Sequence, residues 1–322
     1  MTASLSIIIT SHNDPEQTAL TMASIRETAP SHVEVVIVDD CSATPLHHYI
    51  KPNEQTKLIR NHHRCGCGPS RHIGALNAGG EWLLICDSHM RFTPGWFEAW
   101  NRYPVGPDSE RMVFCATCLG LDSEHMDVNN PVGEYHGATL SLYGPDRNDP
   151  KGPMQVFEAV WWLESSDPDD GRELAAIMGA CYFVSRDWFL FLSPTRYLRT
   201  WGCDEQMISL KSWLAGGSVR LAKSVKIGHK FLIKGKEKQC WGAPHGDFVW
   251  NKLFAMNTLL PPDLAVKLSN LLLSGSATGD NEAAKRLYRD NYHIVATERA
   301  MNKTLFTRDF DWYCAKFGIP LP

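Results

Sequence analysis

The sequence predicts an α/β protein with a mostly parallel central sheet flanked by helices and with a helical C-terminal extension. Three observations support this fold class. Short β-branched apolar runs alternate with helical patterns over the first 120 residues, an order that gives parallel strands covered by helices. Polar clusters follow three of these runs, at the strand ends where such sheets bind ligands. From about residue 249 onward the patterns are helical.

Local signals define the elements of the first 120 residues. The β-branched apolar run from Leu5 to Thr10 predicts a buried strand. Asp14 and Pro15 predict the start of a helix that ends before Pro30, with Asp14 as the N-cap. Further strands are expected at 33–38, 57–59, 82–86 and 112–117, and further helices at 69–78 and 94–100.

The rest of the chain carries fewer strand signals. Residues 122–171 are rich in Pro, Gly, Asp and Asn, so little regular structure is expected there apart from a strand or a helix near 154–163. Strands are then expected at 177–185, 218–221 and 225–227, and a helix at 204–214. Four C-terminal helices are expected at 249–259, 262–273, 281–302 and 307–317.

The composition is that of an ordinary globular protein. Of 322 residues, 43% are apolar and 21% are charged, and the formal net charge is −4. No stretch reaches the roughly 18–20 apolar residues of a membrane span, and the first residues lack the basic leader of a secretory signal. We therefore expect a cytoplasmic protein without a membrane span, whose ten cysteines are reduced thiols.

Two segments allow more than one interpretation. The run from His62 to Cys67 could bind zinc, but no second Cys/His pair at zinc-finger spacing follows it, which favours a polar loop. Residues 222–322 hold 15 Lys and Arg against 9 Asp and Glu. This basic third, densest at 234–238, could face an anionic ligand or form a solvated surface.

The sharpest chemical signal is Asp87-Ser88-His89, which directly follows a predicted buried strand. A carboxylate and an imidazole one residue apart can both reach one cation, and the pair suits Mn²⁺ or a similar divalent ion. Such an ion can neutralise a diphosphate leaving group. The alternative is a helix cap followed by a surface histidine.

Several motifs in order resemble the GT-A glycosyltransferases of family 2. The first strand with Thr10-Ser11-His12-Asn13 is followed by Val38-Asp39-Asp40 and then by Asp87-Ser88-His89. The chain is especially similar to the polypeptide N-acetylgalactosaminyltransferases, whose metal motif is also Asp-Ser-His and whose Trp-Gly-Gly-Glu-Asn resembles residues 201–205. The resemblance covers about residues 4–260.

The resemblance implies a GT-A domain and its division. The catalytic domain would span 1–260, with a nucleotide-binding half at about 1–120, an acceptor-side half at about 121–260 and a helical extension at 261–322. The implied reaction is the metal-dependent transfer of a sugar from a nucleotide-sugar donor, a UDP-sugar, to an acceptor hydroxyl. The implied ligands of Mn²⁺ or Mg²⁺ are Asp87, His89 and His229.

The resemblance also implies a set of residues that bind the donor. These are Asp39 at the uracil, Thr10 and His12 in the base pocket, Arg71 beside the donor, Gly179 and Ala180 beside the sugar, and Trp201 in the later motif. From chemistry alone, Arg71 suits a diphosphate, and Gly179 permits close approach of the backbone. Without the resemblance, Arg71 would be interpreted as a helix-surface arginine and His229 as a core histidine.

The chain departs from that family in the later motif. Where the family has Gly-Glu-Asn, this chain has Cys203-Asp204-Glu205. Inverting members of family 2 carry an acid at the last position, where it deprotonates the acceptor, and the retaining mucin-type enzymes lack it. We therefore predict Glu205 as the general base of an inverting displacement and Asp204 as a residue that positions the sugar or the acceptor. The alternative is that both acids cap the following helix.

Other candidates lie outside these motifs. Trp241 and His245 follow the basic run and could belong to a lid over the donor or to ordinary packing. Trp161 and Trp162 could stack on a sugar or a base, although a core role is the stronger prediction. The mucin-type enzymes also carry a membrane anchor and a lectin domain; neither is evident here, which favours a bacterial or phage-type cytosolic enzyme.

Three other functions compete with a transferase. A dehydrogenase with a dinucleotide-binding fold would carry Gly-x-Gly-x-x-Gly after the first strand, and this chain lacks the motif there. A sugar nucleotidyltransferase would want a Gly-rich basic loop at the same place. A non-catalytic nucleotide-sugar-binding protein would leave the metal and base residues idle. The acceptor is open between a protein hydroxyl, a glycan and a hydroxymethylated DNA base, which the basic third would suit.

Overall fold

A computed structural model describes residues 4–122, 126–145, 154–163, 168–231, 244–275 and 278–322. Its strands are β1 Leu5–Ser11, β2 Glu34–Asp39, β3 Thr56–Arg60, β4 Trp82–Cys86, β5 Met90–Phe92, β6 Met112–Leu121, β7 Gly133–Gly144, β8 Gln155–Leu163, β9 Cys181–Ser185 and β10 Ser218–Lys230. Its helices are α1 Pro15–Thr28, α2 Cys67–Asn77, α3 Trp96–Trp100, α4 Arg186–Leu192, α5 Asp204–Leu214, α6 His245–Leu259, α7 Pro262–Gly275, α8 Thr278–Asp290, α9 Tyr292–Leu305 and α10 Phe310–Phe317.

The strands form one sheet whose parallel part places the polar clusters together. Eight strands follow the order β3-β2-β1-β4-β9-β6-β10-β5, and β7 and β8 extend the sheet from β6. Parallel pairing aligns Ser11 with Asp39 and Ile9 with Cys86. The carboxyl ends of β1, β2 and β4 therefore meet at one edge of the sheet, as the sequence predicted.

Helix α2 packs directly on this parallel block. The strands β1 and β4 are buried along their whole length, in keeping with their continuous apolar runs. A side chain at Gly74 would lie 2.5 Å from the Ile8 Cγ2 atom, so the glycine allows α2 to approach β1 closely. This contact fixes the first turns of α2, which carry Arg71, beside the carboxyl ends of the strands.

The sheet is mixed rather than mostly parallel, which corrects one part of the predicted fold. The strand β9 lies between β4 and β6 and is antiparallel to both. The strand β5 pairs antiparallel with β10, and β7 pairs antiparallel with β6 and β8. The α/β class itself is confirmed: the parallel pairs β1–β2, β1–β4 and β2–β3 lie in the first half of the chain, and β6–β10 is a fourth parallel pair.

Several predicted elements differ from the observed ones. The strand β7 was not predicted, although Ala138, Leu140 and Leu142 alternate as buried residues along it. The strand predicted at 177–185 begins only at Cys181, because the preceding backbone N–H groups bond to side chains: that of Ile177 donates to the Ser209 hydroxyl. The two short strands predicted near 218–227 are one strand with a register shift between 222 and 226.

The C-terminal helices pack against the sheet-covering helix α5 and against one another. The long helix predicted at 281–302 is two helices, α8 and α9, separated at Asn291. Lys211 on α5 forms a buried ion pair with Glu298 on α9. Arg308 donates to the backbone carbonyls of Trp213 and Gly217. The domain boundary at residue 260 stays a prediction.

Two further observations bear on predictions from composition. None of the helices in the described part of the chain has both the length and the apolar character that crossing a membrane requires. The cysteines of the described residues are free thiols, as predicted. The basic run at 234–238 lies outside the described residues.

Candidate active site

A cleft of about 340 Å³ opens at the carboxyl ends of β1 and β4 and faces the first turn of α5. Its walls come from segments that are far apart in the sequence. Most of the predicted site residues line it: Thr10, His12, Arg71, Asp87, His89, Gly179, Ala180, Trp201, Asp204, Glu205 and His229. The fold therefore brings residues from both predicted halves of the chain to one cavity.

Three potential metal ligands converge on one side of the cleft. Asp87 directly follows β4, His89 precedes β5, and His229 lies near the end of β10, where it is paired with Met90. One ligand atom from each of these three residues lies within 4.8 Å of the others, the one such group found among the described residues. The carboxylate–imidazole–imidazole set suits Mn²⁺, Zn²⁺ or Fe²⁺ better than Ca²⁺.

The positions of the His229 ring nitrogens suit the binding of a cation. The His229 Nε2 atom lies 3.3 Å from the Asp87 Oδ2 atom. The His229 Nδ1 atom is buried and has no hydrogen-bond partner within the part of the chain that the structure describes. A buried ring nitrogen without a partner is costly, so a bound ion that drew this ring into its coordination would suit the site.

Charge also favours ligation by Asp87 and His229. Burial raises the pKa of Asp87, but the hydrogen bond from His229 and the charge of Arg71 outweigh it and hold that pKa below its usual range. Burial lowers the pKa of His229, against the opposing effect of Asp87. Both directions favour the ionised carboxylate and the neutral imidazole, which are the forms that bind a metal ion.

Arg71 connects the metal group with the first turn of α5. It is only 2% exposed. One guanidinium nitrogen lies 2.8 Å from the Asp87 Oδ1 atom and 3.3 Å from the Gly179 carbonyl oxygen, to which it donates. Another pairs with the Asp204 carboxylate. Arg71 is therefore a fixed cation at the centre of the cleft, and not the surface arginine that its helix alone would suggest.

Glu205 is held in the same cleft by two hydrogen-bond donors. Its Oε1 atom accepts hydrogen bonds from the Gly179 N–H at 3.0 Å and from the Trp161 indole N–H at 2.7 Å. Burial raises the pKa of Glu205 to about 7, against the lowering effect of these two bonds and of Arg71. The two donors thus fix the carboxyl at the wall of the cleft.

The first turn of α5 does not use these acids as helix caps. Cys203 is the N-cap residue and makes no side-chain cap bond. The carboxylates of Asp204 and Glu205 instead bond to Arg71 and to Gly179 and Trp161. Of the two predicted interpretations, this geometry favours a role in the cleft.

Gly179 makes room for Glu205 rather than only for a ligand. A Cβ atom at this position would lie 2.8 Å from the Glu205 Cγ atom and 3.0 Å from its Oε1 atom. Contacts of that length do not occur in relaxed structures, so any side chain at 179 would displace Glu205. The sequence suggested close approach at Gly179, but its partner in the chain was not foreseen.

Of the two adjacent aspartates at the end of β2, the one that lines the cleft is not the predicted one. Asp39 is 1% exposed and does not line the cleft. Its carboxylate accepts from the backbone N–H groups of Ser42 and Leu46 and pairs with Arg60, so it holds the following loop. Asp40 lines the cleft instead. Asp39 is the last residue of β2 and Asp40 follows it, and because successive side chains point in different directions at a strand end, only the second of the two carboxylates reaches the cleft.

Asp40 and His12 are fixed by local hydrogen bonds. The Asp40 carboxylate accepts from the Asn61 amide and from the backbone N–H groups of Cys65 and Gly66. The His12 Nδ1 atom lies 2.7 Å from the Asp40 carbonyl oxygen. Residues 62–66 therefore form a loop that wraps around Asp40 and leads into α2 at Cys67, and no zinc ligand group was found among the described residues of this segment.

Aromatic side chains line the mouth of the cleft. Trp201 is 44% exposed and stacks on Phe248, with ring centroids 5.8 Å apart. Trp161 is 37% exposed and packs against Phe231. The predicted core role of Trp161 is therefore wrong, since its indole N–H reaches Glu205 in the cleft. Trp241 and the side chains of His245 and Trp162 lie outside what the structure describes.

Comparison with known proteins confirms the resemblance seen in the motifs. Residues 6–100 match the family model described as glycosyl transferase family 2. Polypeptide N-acetylgalactosaminyltransferase 14 of Homo sapiens is 28% identical over 243 residues, which cover 71% of this chain and 41% of that protein. Polypeptide N-acetylgalactosaminyltransferase 10 of Homo sapiens is 24% identical over 98% of this chain and 50% of its own length. The chain thus spans half or less of the length of these relatives.

Solved structures confirm the fold. A crystal structure of GalNAc-T7 with UDP, GalNAc and Mn²⁺ superposes with a TM-score of 0.70 at 19% identity, over 99% of this chain and 59% of that one. The S. aureus TarS 1-349 structure in complex with UDP-GlcNAc gives a TM-score of 0.52 at 11% identity, over 93% and 89% of the two chains. The predicted GT-A fold is therefore present.

Proposed function

We propose, for a chain that carries a glycosyltransferase family 2 segment, that the cleft binds a UDP-sugar together with Mn²⁺ and transfers the sugar to an acceptor hydroxyl. The observation that carries this proposal is the convergence of Asp87, His89 and His229 within 4.8 Å of one another, in the same cleft as Arg71 and Glu205. The names of the relatives and the UDP, GalNAc and Mn²⁺ in the GalNAc-T7 crystal support it.

The residues of the cleft would have separate roles in sugar transfer. Asp87, His89 and His229 would hold the ion, which when bound neutralises charge on the diphosphate leaving group. Arg71 is a permanent cation fixed by two carboxylates, and it is placed to orient Asp87 and to face the donor's charge. Thr10, His12 and Asp40 would line the pocket of the nucleoside.

Glu205 is the proposed general base. In one displacement, its carboxylate takes the proton of the acceptor hydroxyl as the new bond forms between that oxygen and the anomeric carbon. The bond from that carbon to the diphosphate oxygen breaks, and its electron pair leaves with UDP. Attack opposite the leaving group inverts the anomeric centre. The two donors on the Glu205 Oε1 atom support this role because they fix the carboxyl without neutralising it.

A donor screen tests the proposed function. Purified protein is incubated with Mn²⁺ and a panel of nucleotide sugars, and the released nucleoside diphosphate is measured with and without EDTA. Release of UDP from one donor, abolished by EDTA, is the expected result. No release from any donor, together with no rise in Tm on addition of UDP and Mn²⁺, would contradict the proposal and leave a non-catalytic protein of this fold.

The rate should depend on pH through Glu205. We expect kcat/KM to increase with pH and to reach half of its plateau near pH 7, since the carboxyl accepts a proton only when ionised and its pKa is raised to about 7. The free energy of unfolding should change in the opposite direction. The folded state binds this proton more tightly than the unfolded chain, so the stability that protonated Glu205 contributes is lost as pH rises through 7. A pH–rate profile without this limb would contradict the assignment.

Gly179 should control the position of Glu205. In Gly179→Ala the new methyl group would push the Glu205 side chain away, and we expect transfer to fall roughly 100-fold for a displacement of about 1 Å. The matched control is Gly275→Ala, where a Cβ atom meets nothing within 4 Å. Steady-state rates and Tm of both variants provide the measurement. Equal rates in the two variants would show that Glu205 need not lie where the structure has it.

The proposed acceptor is a molecule that carries a hydroxyl group. The relatives' names favour a protein hydroxyl, whereas a glycan or a hydroxymethylated DNA base were the other classes predicted from the sequence. Ionic strength separates the last of these, because binding to DNA weakens steeply as salt is added. We also propose the cytoplasmic location predicted from the sequence, which fractionation of the native cells would test.

A further inference from the structure

The hydrogen bonds of the Asp14 carboxylate differ from those that its position before α1 predicts. Asp14 precedes α1 and was expected to cap that helix, yet its side chain makes no cap hydrogen bond. Its Oδ2 atom instead accepts from the Ser88 hydroxyl at 2.9 Å and lies 3.3 Å from the His89 Nδ1 atom. The side chain is 18% exposed. A good capping residue is therefore directed away from its own helix and toward a candidate metal ligand.

The same helix holds the whole segment that carries His89. The Thr21 hydroxyl donates to the Ser88 carbonyl oxygen at 2.7 Å and accepts from the Met90 N–H at 2.9 Å. One turn later, the Ser24 hydroxyl accepts from the Phe92 N–H at 2.7 Å. The backbone on both sides of His89 is thus fixed to α1. Of Asp14, Thr21 and Ser24, Asp14 is the residue whose side chain reaches the imidazole itself.

A carboxylate at Nδ1 determines what the other ring nitrogen can do. The proton of a neutral imidazole is held on Nδ1 when that atom donates to a carboxylate, which leaves the lone pair on Nε2 for a cation. The rings of His89 and His229 lie 4.9 Å apart between their centroids. A wrong tautomer or a rotated ring at His89 would remove one nitrogen from the group that the three ligands form.

We propose that Asp14 is a positioning residue that fixes the tautomer and orientation of His89 for metal binding. The inference rests on the proposed function, since it assumes that Asp87, His89 and His229 hold the ion. Asp14 itself is outside the group of atoms that converge within 4.8 Å. Its effect is therefore expected on the affinity for the metal, through the histidine.

The test measures Mn²⁺ affinity by isothermal titration calorimetry in the presence of UDP, for the wild type, Asp14→Ser, Asp14→Asn and Glu16→Gln. Serine and asparagine keep a residue that favours helix N-caps, but serine is too short to reach His89, whereas asparagine keeps an acceptor and loses the charge. The exposed Glu16 lies in the first turn of the same helix. Its variant controls for loss of one acidic charge there.

We expect Asp14→Ser to weaken Mn²⁺ binding by about 10- to 100-fold, Asp14→Asn to weaken it less, and Glu16→Gln to leave it within about twofold of the wild type. The EPR spectrum of bound Mn²⁺ should change in the Ser variant, and Tm without metal should change little. Wild-type affinity in Asp14→Ser, with Mn²⁺ bound normally by the wild type, would overturn this inference alone. Absence of Mn²⁺ binding by the wild type would instead overturn the metal site of the proposed function.

Discussion

Replacing Glu205 with glutamine is expected to lower the rate of transfer by about 100- to 10,000-fold, the usual contribution of a general base. The amide oxygen of glutamine can still accept from the Gly179 N–H and the Trp161 indole, so the cleft should keep its shape. The amide cannot take up the acceptor's proton. We therefore expect kcat to fall, while the affinity for UDP and Mn²⁺ stays near that of the wild type.

The control for this variant is Asp187→Asn. Asp187 also lies in the first turn of a helix, α4, but its side chain is 96% exposed and it does not line the cleft. Its variant should transfer at the wild-type rate. A Glu205→Gln enzyme that retains full activity would remove Glu205 from the mechanism. Loss of UDP affinity in place of kcat would assign Glu205 to donor binding.

Replacing Asp87 with asparagine is expected to remove Mn²⁺ binding and to lower metal-dependent release of UDP by roughly 1,000-fold or more, since a catalytic metal ion stabilises the transition state by several kcal/mol. Asp87 supplies the carboxylate of the three-ligand group. It also pairs with Arg71 at 2.8 Å, so the variant leaves a buried arginine with one carboxylate fewer, and Tm should fall as well.

The matched control is Asp263→Asn, which removes one acid from the exposed first turn of α7. Calorimetry with Mn²⁺ and the assay of released UDP are run on both variants. A folded Asp87→Asn protein that binds Mn²⁺ with wild-type affinity would show that the ion lies elsewhere. Recovery of UDP release by Asp87→Asn at a high Mn²⁺ concentration would show that the ion binds the same site with lower affinity.

Site residues could be predicted from the sequence where neighbouring residues indicated their role. Asp87 and His89 lie one residue apart after a buried strand, so strand periodicity and ligand chemistry together found them. Asp204 and Glu205 begin a helix whose bounds were predicted correctly at 204–214. His229 carries no such local signal, and only the resemblance to a known family selected it.

Features that depend on long-range contacts could not be predicted. Trp161 and Glu205 are 44 residues apart in the sequence, and Ser88 and Asp14 are 74 apart. Nothing in the local pattern of either residue indicates its partner, because the sheet order that joins them is set by the whole fold. The same limit applies to Asp39 and Asp40, since the face of the strand end that meets the cleft decides between them.

Two other features that differ from the prediction do carry local signals in the sequence. The strand β7 alternates buried Ala138, Leu140 and Leu142, the period-two pattern of a half-buried strand. The break between α8 and α9 falls at Asp290-Asn291, residue types that favour helix ends over helix interiors. In both regions the surrounding composition, loop-like in one and helical in the other, outweighed these signals.

The proposal that Glu205 makes this cleft an inverting transferase is tested most directly by the configuration of the sugar as it is released. The protein is incubated with Mn²⁺ and its UDP-α-sugar in D₂O, with water as the acceptor, and ¹H NMR follows the anomeric protons before the free sugar equilibrates. We predict that the β anomer forms first and that Glu205→Gln forms it far more slowly. Initial formation of the α anomer would contradict the inverting mechanism and the role of Glu205 as its base.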